Sequence, residues 1–229
     1  LALAKGTAAG RTEAEGMKVA LAAMLSSPQF LYRSELGELS SGSIYKLTAY
    51  EIATYLAYTY TGTTPSVDLI AAATRGDLNT VAGIRTQAST LLSSANTKVL
   101  MGDFINRWLG TEKLATQNKV GVANFATLAG DMQQELSKNF SAAVLDSTAT
   151  FATVYNPNFT YVNQRLATHY GVTFSGTADA DGFVKATTAD RGGILVSGAF
   201  MSRYARDNDA NLITRAVAVR RKLMCQDIP

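Results

Sequence analysis

Proton transfer through an imidazole could use only one residue in this chain, because His169 is the sole histidine among 229 residues. It stands in Thr168-His169-Tyr170-Gly171, near the expected end of a helix. There it could act as a general acid or base, or serve structurally, since a protonated ring interacts favourably with the C-terminal end of a helix dipole. A Ser-His-Asp triad would need the same ring, and no G-x-S-x-G elbow accompanies it. Asp207 and Asp209, with Asn208 and Asn211 beside them, offer oxygen ligands to a hard metal cation, but the same side chains suit a helix N-cap. Asp179 and Asp181 also carry oxygen donors, though without EF-hand spacing, which points to a surface turn. Cys225 is the single cysteine, so an internal disulfide, a CxxCH motif and a multi-cysteine metal site are excluded. It is either a free buried thiol or one half of a disulfide to a cysteine outside this chain. Gly192, Gly193 and Gly198 permit close backbone approach and do not form a phosphate-loop pattern.

The elements that must position these residues read as helices. Thr12 with Glu15, and Thr48 with Glu51, form capping boxes that open helices from Thr12 to Ser26 and from Thr48 to Tyr60. Ser27 caps a further helical piece that begins at Pro28, and residues 37–46 read as a loop. Ser66 opens a short helix to Gly76, and Asp77 caps the next, with Val81, Ile84, Ala88 and Leu91 at helical spacing. Asn96 or Thr97 starts another, which holds Trp108 and closes at Gly110. A loop over 111–123 leads to a long helix from Ala126 to Leu145, and Phe159 to Tyr170 reads as a helix stopped by Gly171. Residues 172–187 suit an irregular loop or a short β-hairpin. The run from Arg191 to Met201 suits a buried helix capped by Asp190, followed by a polar elbow and a basic amphipathic helix. The expectation is an all-α class, a multi-helix bundle of about eight or nine helices. It forms a single domain over residues 12–229, preceded by a lead-in over residues 1–11.

Composition bounds the function classes. Hydrophobic content of 47% and charged content of 17% are globular values, and they argue against disorder for the bulk of the chain. The net charge is only +3, and the basic residues gather near the end, at Arg215, Arg220, Arg221 and Lys222. No aromatic residues interleave with them, so this reads as the solvated face of a helix, and nucleic-acid binding is not expected. No apolar run is long enough for a membrane span, so an integral membrane domain is not expected. The chain begins at Leu1 with no visible signal peptide, as expected of a processed product or an excised piece.

Several short motifs recur together: Ser27-Pro28-Gln29-Phe30-Leu31-Tyr32-Arg33, Thr48-Ala49-Tyr50-Glu51-Ile52-Ala53, Phe104-Ile105-Asn106-Arg107-Trp108-Leu109-Gly110, Asn163-Gln164-Arg165-Leu166-Ala167-Thr168-His169-Tyr170-Gly171, Asp190-Arg191-Gly192-Gly193-Ile194-Leu195 and Cys225-Gln226-Asp227-Ile228-Pro229. In that order the chain resembles an uncharacterised helical domain family of planctomycete-type multidomain proteins associated with c-type haem modules. The resemblance implies that residues 12–229 are the middle fragment of a longer exported polypeptide, periplasmic or at the cell surface. It implies no cofactor within this chain, haem c in an adjacent domain, and the adjacent domains as partners. His169 then becomes the candidate axial haem ligand, and Met201, otherwise a core side chain, a candidate thioether ligand. The elbow departs from the family pattern. Ala210-Asn211-Leu212-Ile213-Thr214-Arg215 stands where Thr-Ser-Pro, a basic residue and Gly are usual, so no role tied to that turn carries over. The implied function is a helical scaffold or interaction domain that positions the haem module or a partner in electron transfer. Two alternatives remain open: a substrate-pocket domain of a periplasmic haem-linked oxidoreductase, with a cleft lined by Tyr204, Arg206 and Asp209, and a structural surface-assembly protein with large apolar intermolecular contacts.

Overall fold

The computed structural model describes residues 10, 12–146, 148, 150–188 and 190–227. All of the lead-in except Gly10, and Ile228-Pro229 of the closing motif, lie outside the described residues. The fold is all-α with two small antiparallel sheets. The chain divides into two compact units, one of residues 1–57 and 64–85, the other of residues 58–63 and 86–229.

In the first unit, local sequence signals set most element starts. Helix α1 (Glu13–Leu25) opens on the Thr12/Glu15 box, with Glu15 N donating to Thr12 Oγ1 and Thr12 N to the Glu15 carboxylate, which is held below the usual range by these bonds to Thr12. Ser27 caps α2 (Pro28–Leu31). Strands β1 (Glu38–Ser41) and β2 (Ile44–Lys46) follow, then α3 (Ala49–Thr61), whose Thr48/Glu51 box is complete. The second oxygen of Glu51 accepts from Leu36 N at 2.8 Å and Gly37 N at 3.0 Å, so one side chain caps a helix and ties down the hairpin approach. Helix α4 (Val67–Arg75) is capped by Ser66 and closed by Gly76. After a 3-10 turn over Asp77–Asn79 comes α5 (Val81–Leu92). Ala53, Leu56, Leu69, Ala72 and Leu78 are buried here.

The second unit is organised around one long helix. Helix α6 (Ala95–Leu109) is capped by Ser94 and ends at Gly110, and a 3-10 stretch over Thr111–Thr116 leads toward α7 (Phe125–Val144). Then come α8 (Phe151–Tyr155), β3 (Phe159–Val162), α9 (Gln164–Tyr170), β4 (Val184–Thr187), α10 (Gly198–Arg203), α11 (Leu212–Ala218) and a π-helical turn over Val219–Leu223. Met132, Leu136 and Phe140 recur every fourth residue on α7 and enter a core shared with Ile105, Leu109, Val162, Leu166, Phe183, Ile194 and Phe200. The indole of Trp108 donates to Lys222 O at 2.9 Å, while the Lys222 ammonium donates to Trp108 O, so the last turn is fastened to α6.

The structure corrects the sequence reading at residues 159–162, 37–46 and 190–196. Residues 159–162 form a strand, not the start of a helix. Phe-Thr-Tyr-Val is a β-branched and aromatic run, and Asn163, which accepts from Leu166 N, starts α9 only afterwards. The short β insertion expected within residues 172–187 is present: its strand β4 pairs with β3, in register from Phe159 with Thr187 to Val162 with Val184. Residues 37–46 are not a plain loop: β1 and β2 pair across Gly42. Finally, Arg191–Val196 is not helical. Gly193 has φ 91°, in the left-handed region, and its missing side chain would collide with the Tyr155 carbonyl. The helix begins only at Ser197, whose hydroxyl accepts from Phe200 N; Asp190 caps nothing, and its amide donates to Thr188 Oγ1.

Candidate functional site

Helix α7 carries a second series, offset by one residue from its apolar stripe: Asp131, Glu135 and Asn139, all buried. At i, i+4 and i+8 they share one face of the helix and meet the β3–α9 segment. Asp131 receives both Nε and Nη2 of Arg165, at 2.6 and 2.9 Å. Glu135 accepts from Thr160 Oγ1 at 2.7 Å and from the Tyr170 hydroxyl at 2.6 Å. Asn139 donates to Thr160 Oγ1 at 3.0 Å and accepts from Tyr161 N at 2.8 Å. The Arg191 guanidinium lies 4.1 Å from the centroid of the Tyr170 ring. Glu135 is 1% exposed. Burial pushes its carboxyl up to about 7, against the opposing pull of Tyr170, Thr160, Arg191 and the Gly198 amide. The same burial, reinforced by the Glu135 charge, raises the Tyr170 phenol well above its ordinary value. Such a carboxyl can hold or release a proton near neutrality, but it is sealed from any substrate.

Two grooves open on the surface of this unit. The larger, about 890 Å³, runs along α6 and α7 and is lined by Gly102, Asp103, Lys138, Tyr161, Asp179 and Asp181 among others. Lys138 Nζ bridges Asp179 and Asp181 at 2.8 and 2.7 Å. Burial alone would lower the Lys138 pKa, but those two carboxylates raise it overall, so the ammonium is fixed as a charge. The Asp179 carboxylate also accepts from the amides of Asp181 and Phe183, which makes the stretch a closed turn around a protein cation. The smaller groove, about 610 Å³, is lined by Arg165, Thr168, His169, Phe174 and Gly182 among others.

The residues singled out by sequence do not come together. His169 is exposed at the last turn of α9, its ring 5.6 Å from that of Tyr170, and it is Tyr170 that turns inward to the buried carboxyl. Asp207 and Asp209 are exposed, and no group of three or more His, Cys, Asp or Glu suited to a metal occurs among the described residues. Their main chain builds the elbow: Asp207 O accepts from Val120 N and Asp209 O from Arg206 N. Lys119 donates to the carbonyls of Ala205 and Arg206, and Arg215 to those of Met201 and Ala210. The cap of α11 is Asn211, at φ 42°, accepting from Thr214 N. Tyr204 donates to Leu109 O at 2.6 Å, so its hydroxyl fastens α10 to the end of α6. Met201 is half-buried. Cys225 is exposed, which removes the buried-thiol alternative. Sequence reasoning missed Glu135. The available signal was a polar residue directly before each of Met132, Leu136 and Phe140, which puts Asp131, Glu135 and Asn139 on the flank of the core face.

Residues 47–172 match the PSD4 family, described as proteins of unknown function (DUF1592). The match covers more than half of the chain, and the chain belongs to that family. No curated protein and no solved structure matches it.

Proposed function

We propose that this chain is a helical scaffold and interaction domain that holds chemistry housed in neighbouring modules of a longer exported polypeptide. The observation that carries this reading is the use made of the buried polar groups on α7. Asp131, Glu135 and Asn139 are each spent on fixing a distant segment, and none faces an open cavity. The reading is also supported by the first unit, where Met24, Leu25, Phe30, Leu31, Tyr32 and Leu36 are each more than half exposed within one short run of chain. No helix among the described residues is long and apolar enough to cross a membrane.

The neighbour we assign is a c-type haem module, periplasmic or at the cell surface. This rests on the motif resemblance and on the exposed imidazole of His169 at the rim of a groove. The test is the visible absorption spectrum of the intact polypeptide, as it is and with His169→Ala. Haem bands that shift on losing the imidazole support axial ligation by His169. Haem bands that stay unchanged leave the domain as scaffold alone, and absence of haem bands ends the haem reading. A second reading, a substrate-pocket domain, is favoured by the 890 Å³ groove with its fixed Lys138 charge. Saturable binding of a small molecule that Lys138→Ala abolishes would support it over the scaffold.

A further inference from the structure

Helix α1 has little to hold it in place. Of its 13 residues only Gly16 is buried, and α2 is the one element against which it packs to any extent. A helix of this length is marginal in water by itself, and what stabilises such helices in proteins is the packing of an apolar face. That face is present. Met17, Leu21 and Met24, with Leu25 beside them, fall on one stripe about 100° wide, at spacings of four and three residues. Phe30 and Leu31 of α2, which packs on α1, extend the apolar surface just past its end. These six residues are 48–65% exposed. At roughly 200 Å² for a full side chain, they leave on the order of 700 Å² of apolar surface open. The largest apolar patch of an ordinary monomer is about 300–600 Å², and one partner's share of a standard interface is about 800 Å².

We infer that α1 pairs antiparallel with α1 of a second copy of this chain, about a twofold axis at Leu21. The second copy covers the exposed run of the first unit, and in that respect the pairing rests on the interaction-domain reading. The stripe is self-complementary. Met17 and Leu25 stand four residues to either side of Leu21, so turning one helix end for end sets Leu21 against Leu21 and Met17 against Leu25. The area fits as well, because a twofold contact uses the same patch twice, and two shares of about 700 Å² make an interface of standard size. Charge selects the direction. A parallel pair would oppose Lys18 with Lys18 and Glu13 with Glu13. The antiparallel pair sets Lys18 opposite Met24 and leaves Glu13 beyond the end of the partner helix, while Glu15 is spent on the Thr12 cap. No like charges then meet along the seam, and the two helix dipoles run in opposite senses.

The experiment is sedimentation velocity of the intact polypeptide over a range of concentrations, joined to disulfide trapping in a Cys225→Ser background. The expected result is a mass of two chains at high concentration that falls to one on dilution. Leu21→Glu sets two carboxylates face to face at the axis and should raise the concentration of half-dissociation by about 100-fold or more. Leu21 is half exposed, so this change should leave the unit folded, which circular dichroism checks. On oxidation, Leu21→Cys should join two chains through position 21, as read by mass spectrometry of the linked peptides, because the axis brings those two positions within disulfide reach. Ala22→Cys, which lies off the stripe, should not. A single-chain mass at every concentration, a dimer indifferent to Leu21→Glu, or equal trapping at positions 21 and 22 overturns the pairing. The manner of failure separates it from the reading beneath it. A monomer in which the Leu21→Cys thiol is shielded from an added thiol reagent puts a neighbouring module on α1, which overturns the second copy and keeps the interaction domain. A monomer in which that thiol reacts freely overturns both uses of the surface.

Discussion

Replacing Gly198 by alanine tests how tightly α9, α10 and the buried carboxyl are packed. A Cβ at this position would fall on the Tyr170 hydroxyl and come within 3.0 Å of Met132 Cγ. The phenol would have to move, and its 2.6 Å bond to Glu135 would be lost or stretched. Overpacking a filled core costs about 1–3 kcal/mol. Losing a hydrogen bond to a charged or near-charged buried group costs about 1.5–3 kcal/mol. Against these stands the gain of about 1 kcal/mol or less when alanine replaces glycine in a helix. The net expectation is a loss of about 2–4 kcal/mol. Trp108, the only tryptophan, belongs to the same unit, so its fluorescence follows the unfolding of that unit in urea. With a typical urea dependence, the midpoint should fall by roughly 1 M or more. Placing Gly198→Ala in a Tyr170→Phe background removes the clashing oxygen, so the cost should drop by at least about 1 kcal/mol relative to the single change. A Gly198→Ala protein within about 0.5 kcal/mol of the unaltered chain would refute the reasoning. So would an equal cost in both backgrounds, which would place the strain elsewhere.

Two further outcomes follow from the same kind of bookkeeping. Arg165→Ala leaves the Asp131 carboxylate without its partner and should lower the stability of this unit, whereas Arg165→Ala combined with Asp131→Leu should lower it less, as read by the same Trp108 transition. In the first unit, Glu51 accepts from the Thr48, Gly37 and Leu36 amides, and these bonds hold its carboxyl down at about 2. Its folded pKa is depressed, so its contribution is complete above 4.5 and is lost as the pH falls toward 2. Exchange at the Leu36 and Gly37 amides should speed up, relative to intrinsic rates, over that acid range, and Glu51→Gln should show the fast exchange at all pH values.

What could be read from the chain was whatever depends on neighbours within a few residues. The boxes at Thr12/Glu15 and Thr48/Glu51, the Ser27-Pro28 start and the Gly76, Gly110 and Gly171 stops are bonds between residues at most five apart, and each stands where the spacing placed it. The long helix was legible for the same reason, because its apolar repeat is its own signal. Phe159–Val162 was not. Its strand state depends on Val184–Thr187, which a local window does not contain. The Arg191–Val196 segment looked helical because Ile194, Leu195 and Val196 are apolar and uncharged, but the carbonyls of Tyr155 and Pro157 decide its shape from far along the chain. The site followed the same division. His169 drew notice for its chemistry, yet it is Tyr170, one residue on, that the fold turns toward Glu135. A lone carboxyl at position 135 carries no motif. Its proton affinity rises only because the fold buries it, while Thr160, Tyr170, Arg191 and Gly198, brought from separate stretches, pull against that rise. Chemistry that depends on burial is therefore the part of such a domain that spacing alone conceals.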